Sequence, residues 1–349
     1  MVRPVGHVGL MTAVATLAAF ATAPPLRAAE AGSAASQVVA SQSGEVCVNP
    51  APGKAGLSGM VVGFSQSENE QNPFRAAETQ SVKEAAAAAG VGRLLYTNAA
   101  DSQAKQVADM QSMIAQGAQA IIVAPLNATG LQPALEQAAA KGIPVVTIDR
   151  ETAGTPCGPV ITFLGSDFRA QGMRAAAALA EASGGKARIV EIQGAYGNSV
   201  ETQRTEGFAD GLKAHPDMHL LAAQTGNWSA TDAQRVTDQV LLAHRDVDAL
   251  YAQADVMAMG AMTAITQSGR EPGRDVRIVS IDGTRAFVQA IAEGHAQADI
   301  ETNPRFGALS FQALADWFAG RPVARTITMK DALYSAGNAA DALKSGAPY

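Results

Sequence analysis

Two cysteines, five histidines and 5% aromatic residues are all that this 349-residue chain has of the side chains that most often bind metals or stack on bases. So few cysteines exclude a disulfide-stapled miniature and a cysteine-rich zinc module. His215 and His219 stand close in sequence, but Pro216 interrupts the segment between them, so no metal is expected there. No stretch reads G-x-S-x-G, H-E-x-x-H, G-x-x-x-x-G-K-[ST] or G-x-G-x-x-G. The sequence signs of a hydrolase elbow, a zinc protease, a phosphate loop and a dinucleotide fold are thus missing, and no cofactor is expected. Positive charge is scarce as well. Lys and Arg number 26 against 32 Asp and Glu, and a net charge of -6 offers no basic face to nucleic acid. Past the N-terminus, no apolar run approaches the roughly 20 residues of a membrane span.

What is present begins with an export layout. Arg3 precedes an apolar run over residues 8–22, followed by Pro24-Pro25-Leu26-Arg27-Ala28-Ala29-Glu30-Ala31. A basic end, a short apolar core and a small-residue exit describe a secretory signal peptide. The core is about 15 residues, short of the roughly 20 needed to span a bilayer. Residues 1–28 are therefore read as a signal peptide cleaved near Ala28 or Ala31. Residues 29–57, rich in Ala, Ser, Gly and Pro and without a period, are read as a flexible leader. Cys47 lies in that leader and Cys157 in the loop after Arg150. In an oxidising compartment the two could pair, or both could stay unpaired, since sequence fixes no geometry.

From Gly59 onward, short apolar or β-branched runs alternate with helical patterns. Strands are expected near residues 60–65, 93–97, 120–124, 145–148, 161–164, 187–192, 219–223, 249–252, 277–281 and 298–300. Helices fill most of the gaps; the first opens at Asn72-Pro73, a cap followed by a proline suited to the first helical position. The last runs over about 305–319. Apolar strands separated by helices predict parallel sheets covered on both faces. About 290 residues of such alternation suffice for two doubly wound α/β lobes, at roughly 150 residues each. Open α/β sheets bind ligands at the carboxyl ends of their strands. The polar residues just past the strand runs are Gln66 and the loop to Arg75, Asp149-Arg150, Gln193 to Thr202, Asn227-Trp228, Gln253 to Asp255, Asp282, and Glu301 to Asn303. All fall at one edge, which predicts a ligand cleft.

Several segments resemble the type I periplasmic sugar-binding proteins of ABC importers. They are Asn72-Pro73-Phe74-Arg75, Ile143-Pro144-Val145-Val146-Thr147-Ile148-Asp149-Arg150, Gln203-Arg204-Thr205-Glu206-Gly207-Phe208, Ala252-Gln253-Ala254-Asp255, and Ile281-Asp282-Gly283-Thr284. Within that family, Arg75-Ala76-Ala77-Glu78-Thr79, the 124–130 segment and the closing Pro348-Tyr349 look nearest to galactofuranose-type proteins, with ribose-type relatives second. The resemblance implies two lobes joined by three crossings, near Gly165, Thr302 and Thr328. The first lobe would comprise residues 58–165 plus 302–327, and the second 166–301 plus 328–349. It also implies a monomer in the periplasm that captures a monosaccharide between the lobes and delivers it to ABC permease membrane subunits. A protein that presents its ligand to a chemoreceptor or sensor kinase instead is the alternative.

The residue chemistry suits such a ligand. A sugar offers hydroxyls that both donate and accept, and C–H faces that stack. Asp149, Arg150, Arg75, Arg204 and Asp282 are placed to grip hydroxyls, and Phe74 and Trp228 to stack. Gln66, Gln253, Asp255 and Thr302 complete the candidate binding set. Ala254 stands where relatives usually carry an Asn, which leaves the particular sugar open. Asp149 and Asp282 also invite a reading as paired catalytic carboxylates, but neighbouring arginines are expected to keep both ionised and poor as acids. A binding protein, not an enzyme, is expected. Sugar-responsive repressors share the two-lobed core but begin with a helix-turn-helix, where this chain has its signal and leader.

Overall fold

The computed structural model describes residues 1–2, 38–53, 56–154 and 157–349. The signal peptide and the first part of the leader lie outside the described residues. In chain order the elements begin with β1 (Val38–Cys47), β2 (Val61–Gln66), α1 (Pro73–Ala88), β3 (Arg93–Asn98), α2 (Gln103–Ala115) and β4 (Ala120–Val123). Next come α3 (Gln132–Ala140), β5 (Val145–Ile148), β6 (Val160–Gly165), α4 (Phe168–Ser183), β7 (Lys186–Gln193) and α5 (Ser199–Leu212). They continue as β8 (Asp217–Thr225), α6 (Ala230–Ala243), β9 (Ala249–Ala252), α7 (Asp255–Gln267), β10 (Arg277–Asp282) and α8 (Arg285–Ala292). The chain closes with β11 (Ala298–Glu301), α9 (Gly307–Phe318), β12 (Val323–Met329), β13 (Leu333–Ser335) and α10 (Ala339–Ser345).

These strands make two sheets, ordered β1-β12-β6-β5-β4-β2-β3 and β13-β11-β10-β9-β7-β8. The interior strands run parallel and read as unbroken apolar runs: β4, β5 and β9 are buried at every position. Such runs need cover on both faces. In the first sheet one face packs Phe64, Val82, Ile122, Ile148 and Leu314 together, and the other packs Met110, Met113, Ile121 and Leu135. In the second, Val190, Leu250, Met257 and Phe287 lie on one side and Leu179, Phe208, Tyr251 and Val279 on the other. The α/β alternation is as expected, with one amendment. Each sheet ends in an antiparallel edge strand, β1 against β12 and β13 against β11.

The flexible leader is corrected. Its residues Val38–Cys47 form β1, which pairs antiparallel with β12 from Val38 opposite Met329 to Cys47 opposite Val323, with register shifts after Val38 and after Ser43. Beyond the strand, Asn49 donates to the Trp317 carbonyl at 3.2 Å and Gly53 to that of Phe318 at 3.2 Å, so the segment is stitched to the end of α9. Cys47 is buried and bonded to Cys157 across a separation of 110 residues.

The chain passes between the sheets three times, at 166–167, 302–306 and 330–332. Asp331 holds all three passages together. Its Oδ1 accepts from Ser166 Oγ at 2.9 Å and from the Asn303 amide at 3.2 Å, and its Oδ2 accepts from Gln171 Nε2 at 2.9 Å. Burial pushes this carboxyl up to about 6, against the pull of those hydrogen bonds. The third passage falls slightly later than expected because the unforeseen β12 runs on to Met329.

Closing a loop this long by a disulfide restricts the unfolded chain strongly, by roughly 2–4 kcal/mol in typical cases. A Cys47→Ser/Cys157→Ser double variant is expected to lose about that much unfolding free energy in urea titration. An unchanged midpoint would show that β1 gains nothing from its covalent tie.

Candidate ligand-binding cleft

The carboxyl ends of both sheets face one small cavity. It is lined by Glu68, Asn72, Phe74, Arg75, Asp149 and Arg150 from the first sheet's side, and by Val200, Arg204, Trp228, Ala254, Asp282 and Thr302 from the second sheet and its edge.

The first wall is an ionic lattice built around two buried arginines. Asn72 caps α1 by accepting from the Phe74 amide, which puts Arg75 in the first turn with its side chain turned inward. Arg75 Nε donates to Glu68 Oε2 at 3.0 Å, and its Nη1 to Glu78 Oε2 at 2.9 Å, with Asp149 Oδ2 at 2.8 Å. Arg150 Nη2 donates to the other Glu68 oxygen at 2.6 Å, and Nη1 reaches the Pro125 and Leu126 carbonyls. Burial works to raise the Glu68 carboxyl, but the guanidiniums of Arg150 and Arg75 together outweigh it and hold it at about 2. Glu78 has the opposite outcome, since burial pushes it up to about 7 despite Arg75.

The second wall is organised by Arg204 on α5. Its Nε donates to Gln171 Oε1 at 3.0 Å, Nη1 to the Gln253 carbonyl at 2.5 Å and Nη2 to Thr302 Oγ1 at 2.7 Å, with Asp282 Oδ1 at 3.8 Å. Gln171 reaches Arg204 because α4 and α5 touch at glycine. A Cβ on Gly172 would fall 2.3 Å from the Arg204 carbonyl oxygen, and one on Gly207 2.0 Å from that of Arg169. Trp228 lies with the Arg204 guanidinium 5.9 Å from its ring, over Gly194, where any Cβ would collide with the indole. The Asp282 carboxyl is pushed well up by burial, with Arg204 opposing and the carboxyls of Asp255 and Asp149 adding to the rise. Against the sequence expectation, burial and not the arginine 3.8 Å away sets the direction of the shift.

Three cavity residues hold backbone angles that side chains rarely adopt: Asp149 at φ 63°, Trp228 at 57° and Asp282 at 148°. Asp149 sits at the centre of a γ-turn closed by the Arg150 amide on the Ile148 carbonyl at 2.7 Å. Such residues cost on the order of 1–3 kcal/mol each and concentrate at functional sites.

Of the expected binding residues, Phe74, Arg75, Asp149, Arg150, Arg204, Trp228, Asp282 and Thr302 line the cavity. Gln66, Gln253 and Asp255 do not. The Gln66 amide is spent on Glu78 and Thr79, and that of Gln253 on Glu191, Thr205 and the Gly194 amide. Asp255 Oδ2 accepts from the Gly283 and Thr284 amides and from Thr284 Oγ1, which fixes the loop that carries Asp282. Glu301 and Asn303 serve the crossings, through Ala332 and Lys330. Phe74 lines the cavity and also packs in the core, edge-on to Phe306 at 6.4 Å. Glu68 and Val200 lay within segments marked at the strand ends without being singled out, and Asn72 and the anchoring Gln171 were not placed in the binding set. A larger hollow of about 360 Å³ lies over β5, β6 and β12, beside Leu135 and Phe163, but it lacks a converging set of buried charges.

Residues 62–322 match the profile of the periplasmic binding protein domain. The chain belongs to this family. It is 31% identical over 290 residues to the galactofuranose-binding protein YtfQ of Escherichia coli K12, covering 82% of this chain and 91% of that one. The ribose import binding protein RbsB of Bacillus subtilis 168 is 30% identical over 258 residues, 74% of this chain and 81% of its own. Among solved structures, the periplasmic binding protein component of the arabinose ABC transporter from Shewanella sp. ANA-3, bound to α- and β-L-arabinofuranose, superposes with a TM-score of 0.79. It is 31% identical, with 82% of this chain and 95% of that one covered. Family membership accounts for the two α/β sheets.

The buried acids set a pH dependence of stability. Glu191, behind the second wall, is pushed from 4.5 up to about 7 by burial, against hydrogen bonds from Gln253 and Thr205. A raised carboxyl favours the protonated fold, so its contribution is complete below about pH 4.5 and is lost as pH rises through 7. Glu68 acts in the other sense, contributing above about pH 4.5 and losing its effect as pH falls towards 2. The thermal midpoint is therefore expected to be higher at pH 5 than at pH 8. Glu191→Gln, which keeps an acceptor for Gln253, should flatten part of that slope; a slope identical to wild type would remove Glu191 as a cause.

Proposed function

We propose that this protein is an exported solute-binding subunit that captures a monosaccharide, in furanose or pyranose form, for uptake by an ABC importer. The observation that carries the reading is the meeting of an arginine–carboxylate wall, the Arg204 wall and two aromatic rings around one cavity at the strand ends. Hydrogen bonds to charged groups contribute roughly 1.5–3 kcal/mol each. A few of them, with one stacked ring, reach the roughly 8 kcal/mol of micromolar binding. The buried Trp228 Nε1 has no hydrogen-bond partner among the described residues, and a sugar hydroxyl suits such a donor. The relatives named for galactofuranose, ribose and arabinofuranose favour the same ligand class. The N-terminal signal reading and the family name favour a periplasmic location.

Capture requires motion. The cavity is lined from both lobes, so a ligand enters when the walls part. The lobes, each built on one sheet, turn about the passages tied by Asp331.

A thermal-shift panel of D-galactose, D-fucose, L-arabinose, D-ribose and other pentoses and hexoses tests this. A ligand at about 100 times its Kd stabilises by roughly 2.7 kcal/mol. Silence across the sugars, with a response to amino acids, would sink the assignment. Asp149→Ala and Arg150→Ala are expected to weaken binding at least roughly a hundredfold, the scale of an unpaired buried charge, while the variants remain folded by circular dichroism. Wild-type affinity in either would misplace the site.

A further inference from the structure

The closing Pro348-Tyr349 pair has no part in the site as described, yet it touches both walls. Helix α10 packs beside α8 in the second lobe, with Leu343 against its core, and Pro348 beyond it is buried. Tyr349 is bound to that lobe's ligand loop at three points. Its amide donates to the Gly283 carbonyl at 3.3 Å, its carbonyl accepts from the Arg285 amide at 2.7 Å, and its hydroxyl donates to the Asp282 carbonyl at 2.9 Å. The ring goes the other way. It packs edge-on to Phe74 at 6.2 Å and joins the first lobe's apolar cluster with Phe306, while the Arg305 guanidinium lies 6.0 Å from it.

The hydroxyl contact falls on the residue that most needs holding. Asp282 has φ 148°, a conformation that favours glycine, and the next residue is a glycine. Such a peptide persists only where its surroundings over-determine it. Its carbonyl is held by the Thr302 amide at 2.8 Å and by the Tyr349 hydroxyl, and the two amides that follow by Asp255. Thr302 and Asp255 act from within the second lobe and its edge. Tyr349 alone among these partners also rests on Phe74, a cavity residue of the opposite lobe.

We infer that Tyr349 is a positioning residue for the ligand site: its hydroxyl fixes the strained Asp282 peptide, and its ring couples that alignment to closure against Phe74. When the walls part, the ring leaves its seat on Phe74, and the Asp282 loop loses one of its restraints. The inference rests on the reading of the cavity as a ligand cleft, but part of its test does not depend on a ligand.

The experiment compares the full chain with Tyr349→Phe and Tyr349→Ala. In the ligand-free proteins, amide exchange at Gly283 and Thr284 is expected to quicken in both variants. The radius of gyration from small-angle scattering should grow only in Tyr349→Ala, since Phe keeps the ring. With the sugar from D-galactose, D-fucose, L-arabinose and D-ribose that wild type binds best, Tyr349→Phe should lose roughly fivefold in affinity, the scale of one neutral hydrogen bond. Tyr349→Ala should lose roughly tenfold more, the scale of an aromatic pair. Wild-type exchange and affinity in Tyr349→Phe would overturn the hydroxyl's role. A wild-type radius in Tyr349→Ala, or a larger one that Phe does not rescue, would overturn the ring's role. If no sugar binds wild type, the ligand reading fails, while exchange and scattering still decide on Tyr349.

Discussion

Two guanidinium groups that cannot be left alone organise this cleft. Arg75 and Arg150 are almost wholly buried, and an isolated charge withdrawn from water costs several kcal/mol even after relaxation. Each must therefore be matched, and the matching acids dictate local structure. Glu68 has to lie between them, which draws the loop after β2 inward. Asp149 has to turn its carboxylate back towards Arg75, which the chain achieves only through a positive-φ turn at the end of β5. The lattice leaves the wall rigid and polar, with its charges largely cancelled. A neutral, many-hydroxyled ligand is suited to such a surface, because it exchanges hydrogen bonds without bringing in a charge to be neutralised.

The second wall follows another logic. Arg204 spends its fork on a side-chain amide, a main-chain carbonyl and a hydroxyl, and its acid stands 3.8 Å off. One wall is thus fixed by ion pairing and the other by neutral acceptors and strained backbone at Trp228 and Asp282. Between them runs a hinge whose three passages share one carboxylate, so that rotation of either sheet is felt at Ser166, Asn303 and Asp331 together.

The fold was legible because its signals are local. Unbroken apolar strands and the Asn72-Pro73 helix start each announce themselves within a few residues. The elements after residue 319 were not legible for the opposite reason. β12 alternates partly exposed Arg and Thr with apolar residues, and β13 has only three residues; both owe their existence to partners far away in the chain. β1 was hidden by a composition of small and polar residues that reads as a linker until β12 is there to pair with it. In the cleft, a strand end locates a residue to the right edge but does not tell which way its side chain points. Gln66, Gln253 and Asp255 were placed at that edge correctly and yet face backwards, into the layer that steadies the wall. Glu68 lay inside the segment marked by Gln66 and Arg75, and only the meeting of two arginines distant in sequence reveals why an acid is needed there. Ala254 does line the cavity, beside Val200, which leaves a small apolar spot on a wall that is otherwise polar.

The Cys47–Cys157 bond joins the first strand of the first sheet to the loop before β6, and β2 to β5 all lie between. That half of the lobe is consequently a covalent ring. A protease that cuts any exposed loop within it opens the ring but releases nothing, because both ends stay attached through sulfur. A protein that works in an enzyme-rich space outside the cytoplasm would survive a single nick there as a two-chain molecule, its cavity-lining Arg75 and Asp149 still held on one frame.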